Sequence, residues 1–303
     1  MFLKLGEWIL AARLKTIPLS ICGVLIGSFS AYSNNSFNIN IFIFALLTTI
    51  SYQILSNFAN DYGDGIKGTD LNRIGPKRAI QSGNISANEM KKGIVLCSIL
   101  SLTLTTVLVL VAFKENIFNT ILFLLIGMLA ITSAIKYTVG KNAYGYYGMG
   151  DLFVLIFFGI VSVMGSNFLY TKSINPELIF PAFTIGLLSV GVLNLNNMRD
   201  VDNDKISGKN TVAVKLGFTR SKIYHYLLMF FSVICIILFH MTLNSKSILL
   251  LVFSCLIVLL ILIHCFQIYK VNTPKKFDPF LKTLVLKTFL YSILISLHFL
   301  KYL

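Results

Sequence analysis

The sequence predicts an all-α membrane protein, a bundle of nine transmembrane helices. Three observations predict it. Apolar residues fill 56% of the 303 positions and charged ones only 13%, against about 45–50% and about 25% in soluble domains. Runs such as SILLLVFSCLIVLLILIHCF (247–266) are apolar on every side, without the alternation of a membrane β-barrel. The cations, finally, fall almost entirely on one side of the predicted spans.

The elements follow in order. The opening MFLKLGEWILAARLKTIPLS reads as an interfacial amphipathic helix leading into the first span, with no cleavable signal peptide. A spanning helix needs about 20 mostly apolar residues. Windows of that kind lie at about 17–34, 38–57, 93–113, 117–135, 149–170, 177–197, 223–243, 247–269 and 283–302. With the N-terminus in the cytoplasm, only Lys114, Lys172, Lys246 and Lys301 of the 26 Lys and Arg fall on the far side, as the positive-inside rule expects. One span more or fewer would break that alternation. The net charge of +14 therefore reports topology in a lipid bilayer, not a nucleic-acid partner. The C-terminus is expected opposite the N-terminus. Cys22, Cys97, Cys235, Cys255 and Cys265 fall inside spans as small packing residues, and the four His show no metal-ligand spacing.

Two inner loops are long, about 58–92 after the second span and 198–222 after the sixth. They resemble each other. NDYGDGIKGTD leads into LNRIGPKRAIQSGNIS, and NNMRDVDNDKISGKN leads into TVAVKLGFTRSK. Each is an Asn and Asp cluster followed by Gly and cations. The pattern suggests one domain, 1–303, made of two pseudo-repeats at about 1–148 and 149–303.

Apart from Asp151 and Asp278, every Asp lies in these clusters. If the second span continues as a helix, Asn57, Asn60, Asp61 and Asp64 share a face at i, i+3, i+4 and i+7. Asn196, Asp200 and Asp204 do the same at i, i+4 and i+8. A lone Asp at a helix end is usually solvated or capping, but two matching stripes on two similar loops point to a shared task. Unpaired carboxylates at a membrane boundary are costly. Their oxygens suit a hard ion such as Mg²⁺ shared with a phosphate, one ion per stripe, the two ions bridging a diphosphate. Arg73, Lys77, Arg78, Arg199 and Lys209 stand near enough in sequence to add phosphate contacts.

These motifs resemble those of the UbiA superfamily of intramembrane aromatic prenyltransferases. The family's NDxxD-type motif is matched by Asn60, Asp61 and Asp64, and its DxxxD motif by Asp200 and Asp204. A further Asp common four residues after the first motif is replaced here by Gly68. The resemblance covers nearly the whole chain. It is strongest to the branch that prenylates 1,4-dihydroxy-2-naphthoate in menaquinone synthesis, through ARLKT, QILSNFANDYGDGIKGTD, RIGPKRAIQSG, YTVGKNAYGYYGMGD, FFGIVSVMGS and NNMRDVDNDKISGKNTVAVKLG. The usual Pro between Arg13 and Lys15 is Leu14.

The resemblance implies helices around a central cavity, with two Mg²⁺ ions holding a polyprenyl diphosphate at the cytoplasmic end. It implies attack by the naphthoate ring and loss of CO₂ and diphosphate. Tyr137, Tyr144 and Tyr146 would line a π-rich wall around the allylic cation, with Arg13, Lys15, Asn57, Lys136 and Asp151 close to the acceptor. An interfacial aromatic belt and a helix-capping Asp are the plainer readings of the Tyr cluster and Asp151. Three rivals differ in their signatures. A 4-hydroxybenzoate enzyme would be a sister within the family. A CDP-alcohol phosphotransferase needs a DGxxAR motif that the chain lacks. A cation-coupled transporter would place its acids near mid-membrane.

Overall fold

The computed structural model describes residues 2–69, 78–243 and 247–300. Among these residues there is no strand, and nine helices are long and apolar enough to cross a membrane. They are Leu5–Ser33, Ile39–Ile66, Ala87–Phe113, Ile117–Lys136, Gly150–Thr171, Pro176–Arg199, Val212–Thr242, Ile248–Tyr269 and Pro274–Phe299.

The first of these is broken. An interfacial helix, Phe2–Ala12, ends at Arg13, which turns through a left-handed φ of 49°. A 3₁₀ turn, Leu14–Thr16, then leads to Ile17–Ser33, with Pro18 in its first turn. Proline suits that position, where its missing N–H is no loss. Side-chain caps start several later spans. Asn38 accepts from the amides of Asn40 and Ile41. Ser86 and Glu89 form a reciprocal capping box, which satisfies two otherwise orphaned donors.

Four spans run past their apolar windows at the same end. The second continues to Ile66, the third begins at Ala87, the seventh at Val212 and the ninth at Pro274. Hydropathy reports only the hydrocarbon zone, whereas backbone hydrogen bonding carries each helix beyond it. The seventh helix is interrupted at Gly217 (φ 74°, ψ 170°), a left-handed conformation glycine adopts without a Cβ penalty.

The second span packs on the third and fourth, and the sixth on the fifth, seventh and ninth, while the ninth packs on the first. The core of the later spans is built around Phe239, Phe277 and Tyr291, all fully buried. The first five spans, with Leu193 of the sixth, instead line a cavity of about 310 Å³. The fifth span forms one wall of it. Leu155–Gly165 winds as a π-helix, a wide turn often found at functional sites, and sends Phe157, Phe158, Val161 and Ser162 to the cavity. Glycines let this wall sit close to its neighbours. A Cβ on Gly27 would lie 2.3 Å from the Val163 carbonyl oxygen, and one on Gly159 would lie 2.6 Å from that of Ala182.

Candidate active site

The second span brings Asn60 into the cavity lining and carries Asp61 and Asp64 beyond it, into a charged roof that acts on the cavity-lining Tyr137. Asn60 lines the cavity and its Oδ1 accepts from Thr138 Oγ1 at 3.3 Å. Asp61 is 1% exposed, and its carboxylate accepts the amides of Ala79 (3.1 Å) and Ile80 (3.4 Å). It anchors the returning chain, and so places Arg78. Asp64, 2% exposed, is surrounded by donors. Lys209 Nζ lies at 3.1 Å, Arg78 at 3.4 Å and the Tyr146 hydroxyl at 2.9 Å.

The second stripe is held differently. The sixth helix ends at Arg199, and a short helix, Val201–Ile206, follows Asp200. Helical phase survives the junction, because the Asp204 amide still donates to the Asp200 carbonyl at 2.8 Å. Arg199 Nε and Nη2 grip both carboxylate oxygens of Asp200 at 2.9 and 2.8 Å. Nη2 also donates to Asn196 Oδ1 at 2.8 Å, and Nη1 to Asp278 at 2.7 Å. Asp200 and Asp204 are both 4% exposed. Asp202 faces outward.

Three loops meet here. Thr69 Oγ1 lies 2.6 Å from the Tyr146 hydroxyl, and Asn203 Nδ2 donates to the Thr69 carbonyl. The Asn210 amide donates to the Tyr146 carbonyl at 3.0 Å. Lys67 Nζ sits 3.7 Å from the centre of the Tyr146 ring, a cation–π contact. The electrostatics follow from burial. Desolvation alone would lower the pKa of Lys209, but the carboxylates of Asp64 and Asp204 outweigh it and raise it. Burial, and for Tyr137 and Tyr146 the neighbouring Asp64 charge, pushes the phenols of Tyr137, Tyr144 and Tyr146 upward, so they keep their protons.

Other residues singled out by the sequence lie as follows. Tyr137 and Tyr144 line the cavity, their rings edge to face at 5.4 Å. Asn57 is buried and donates to the Ala12 carbonyl at 2.8 Å, tying the second span to the interfacial helix. Asp151 accepts from the Tyr224 hydroxyl at 2.8 Å. Arg13 sits at the left-handed junction, and Lys15 and Lys136 are exposed. Arg73, Lys77 and Asp70 lie outside the described residues. Sequence reasoning passed over Asp278 and Tyr224. An acid in the otherwise basic stretch KKFDPFLK was the available signal for Asp278; Tyr224 offered none.

Below this charged roof the cavity is mainly apolar, walled by Val24, Ala45, Leu108, Phe123 and Leu169 with a few hydroxyls such as Thr48 and Thr105 among them. Among the described residues no three His, Cys, Asp or Glu side chains gather as a ready metal cage. That suits Mg²⁺, which takes one or two carboxylates and completes its shell with water and phosphate. Asp64 and Asp200 are each held now by a protein cation, so these oxygens are of the right type and can exchange one positive partner for another, while Asp61 is held by backbone amides. A mainly apolar chamber beside such a roof can take a hydrocarbon chain whose head is anionic.

Comparison with known proteins agrees with that geometry. Residues 20–293 match the UbiA prenyltransferase family. The chain is 42% identical over 298 residues to 1,4-dihydroxy-2-naphthoate octaprenyltransferase of Haemophilus influenzae, covering 97% of this chain and 96% of that one. It is 43% identical over 235 residues to the Escherichia coli protein of the same name, covering 77% and 76%. Among solved structures, the apo UbiA homolog from Aeropyrum pernix K1 superposes with a TM-score of 0.69 at 15% identity, covering 94% of this chain and 98% of that one. The Archaeoglobus fulgidus homolog bound to DMAPP and Mg²⁺ gives 0.67 at 17% identity, covering 96% and 99%. With motif, fold and matched length in agreement, this chain belongs to the UbiA prenyltransferase family.

Proposed function

We propose that the chain transfers a polyprenyl group from a polyprenyl diphosphate to 1,4-dihydroxy-2-naphthoate, releasing CO₂ and diphosphate and giving demethylmenaquinol. The observation that carries this reading is the charged roof over an apolar chamber, in a chain 42% identical over nearly its full length to an enzyme of that name.

The diphosphate binds under the roof, with its prenyl tail in the chamber. Asn60, Asp61 and Asp64 on one side, and Asn196, Asp200 and Asp204 on the other, would hold Mg²⁺, one ion to each stripe. Bound Mg²⁺ would neutralise the anion as it leaves. Arg78 and Lys209, once freed from Asp64, turn their charge to the diphosphate. The allylic C–O bond breaks and its electron pair leaves with the diphosphate. The faces of Tyr137 and Tyr144 stabilise the allylic cation, and their protonated hydroxyls offer no competing phenolate. The ring carbon bearing the carboxylate forms the new C–C bond. That carbon has no proton to lose, so its bond to the carboxylate breaks, CO₂ departs and the electron pair restores the aromatic ring.

The positive-inside bias supports a cytoplasmic-membrane location with the roof facing the cytoplasm. The chemical test is stoichiometric. Purified protein is given carboxyl-labelled 1,4-dihydroxy-2-naphthoate and octaprenyl diphosphate. Labelled CO₂ and diphosphate should appear one for one, and chelation of Mg²⁺ should stop both. Label retained in the prenylated product, or a clear preference for 4-hydroxybenzoate, overturns this acceptor assignment.

A further inference from the structure

Asp278 belongs to neither motif, yet it reaches the second acid cluster. It opens the ninth-span helix Asp278–Phe299, and its Oδ1 accepts from Arg199 Nη1 at 2.7 Å across 79 positions of chain. Arg199 is 3% exposed. Of the five N–H donors of a guanidinium, four are engaged, by Asp200 twice, Asn196 and Asp278. Arg199 is therefore committed to orienting oxygen ligands rather than to the diphosphate. Its planar fork fixes the plane of the Asp200 carboxylate and the direction of the Asn196 oxygen together.

We propose that Asp278 is a positioning residue for the second acid cluster: by holding Arg199, it fixes Asp200 and Asn196 in the orientation that receives Mg²⁺. This rests on the metal-dependent reading given above. Two physical effects act in the same direction. Asp278 supplies the far anchor without which the guanidinium could rotate and take the Asp200 carboxylate with it. It also keeps the cluster anionic. Arg199 alone would cancel the charge of Asp200, whereas Arg199 between two carboxylates leaves one net negative charge to attract a cation. Groups that orient metal ligands in this way typically cost about 10–100-fold in metal affinity when removed.

The test is a Mg²⁺ titration of the purified full chain, read by two methods. One is thermal stability without substrate. The other is diphosphate release at saturating octaprenyl diphosphate and acceptor. Asp278→Asn should raise the half-saturating Mg²⁺ concentration about 10–100-fold in both, with the shift falling mainly on that concentration rather than on turnover at saturation. Asp278→Glu, which restores the charge and can reach Arg199, should recover most of it. Arg199→Lys keeps the positive charge but lacks the planar fork and has three donors where Arg199 makes four bonds, so it should give a similar shift and carries the test if Asp278→Asn fails to fold. A purely structural role would lower the midpoint equally with and without Mg²⁺ and leave half-saturation unchanged. That result, in a protein whose unmodified form responds to Mg²⁺, overturns the proposal alone. An unmodified protein with no Mg²⁺ response overturns the metal reading, and this proposal with it.

Discussion

Lys209 and Asp64 show what a single buried pair contributes. The ammonium is 7% exposed and lies 3.1 Å from a carboxylate that is 2% exposed. Breaking such a pair by removing one partner costs about 3–5 kcal/mol, because the other charge is left buried. The pH dependence has a definite sign. The folded pKa of Lys209 is raised above its ordinary 10.5. Its contribution is therefore complete below 10.5 and is lost as pH climbs through the higher folded value. Lys209→Met should lower the thermal midpoint throughout the neutral range. The gap to the unmodified protein should narrow only once pH passes about 10.5. A gap that closed between pH 7 and 9 would show that Lys209 is not charged in the folded protein.

Among the elements, the fifth span matters most to the cavity, and its seat depends on glycine. Gly27 meets the backbone of Val163 so closely that a methyl group cannot enter without displacing the π-helical wall. Gly27→Ala should cost about 1–3 kcal/mol through overpacking and slow turnover by moving Ser162 and Val161 at the cavity face. Gly6→Ala, with nothing within 4 Å of the new Cβ, should leave the midpoint unchanged or slightly higher. Thermal denaturation of the two variants in the same detergent checks the contrast; equal midpoints would sink it. The helix overruns mark where sequence reading falls short. Periodicity put Asn60, Asp61 and Asp64 on one face, because a 3.6-residue repeat continues past the membrane. Hydropathy could not show that continuation, and placed the second span's end at 57 rather than Ile66.

For the whole molecule, the nine long apolar helices were legible because lipid leaves few options for a backbone. The composition of the two acid clusters was legible for the same reason, since charge is rare in such a chain. The partners of those acids were not. That Asp61 would bind the amides of Ala79 and Ile80, or Arg199 reach Asp278, depends on loop paths and on helix neighbours far apart in sequence. Orientation remains to be measured on intact cells with a cysteine-free variant and an impermeant thiol reagent. Both sites to be labelled, Ser82 and Glu115, are exposed. Glu115→Cys should react from outside, and Ser82→Cys only after permeabilisation. The reverse pattern would invert the topology.

The stapled roof also bears on how the protein is made. Arg78 follows Asp64 closely in the chain, but Lys209 is 145 residues further on, beyond four more spans. While the ribosome is still synthesising that stretch, Arg78 is the nearer of the two cations that, among the described residues, pair with Asp64 in the finished roof. The acid can stay at the water boundary with that escort, and the second cation locks it only after the sixth span has inserted. A nascent chain halted before Lys209 should therefore leave the first acid cluster open to water and to proteases. The loop between the sixth and seventh spans would then act as the seal for Asp64, so that this polar site is enclosed only when six of the nine spans are in place.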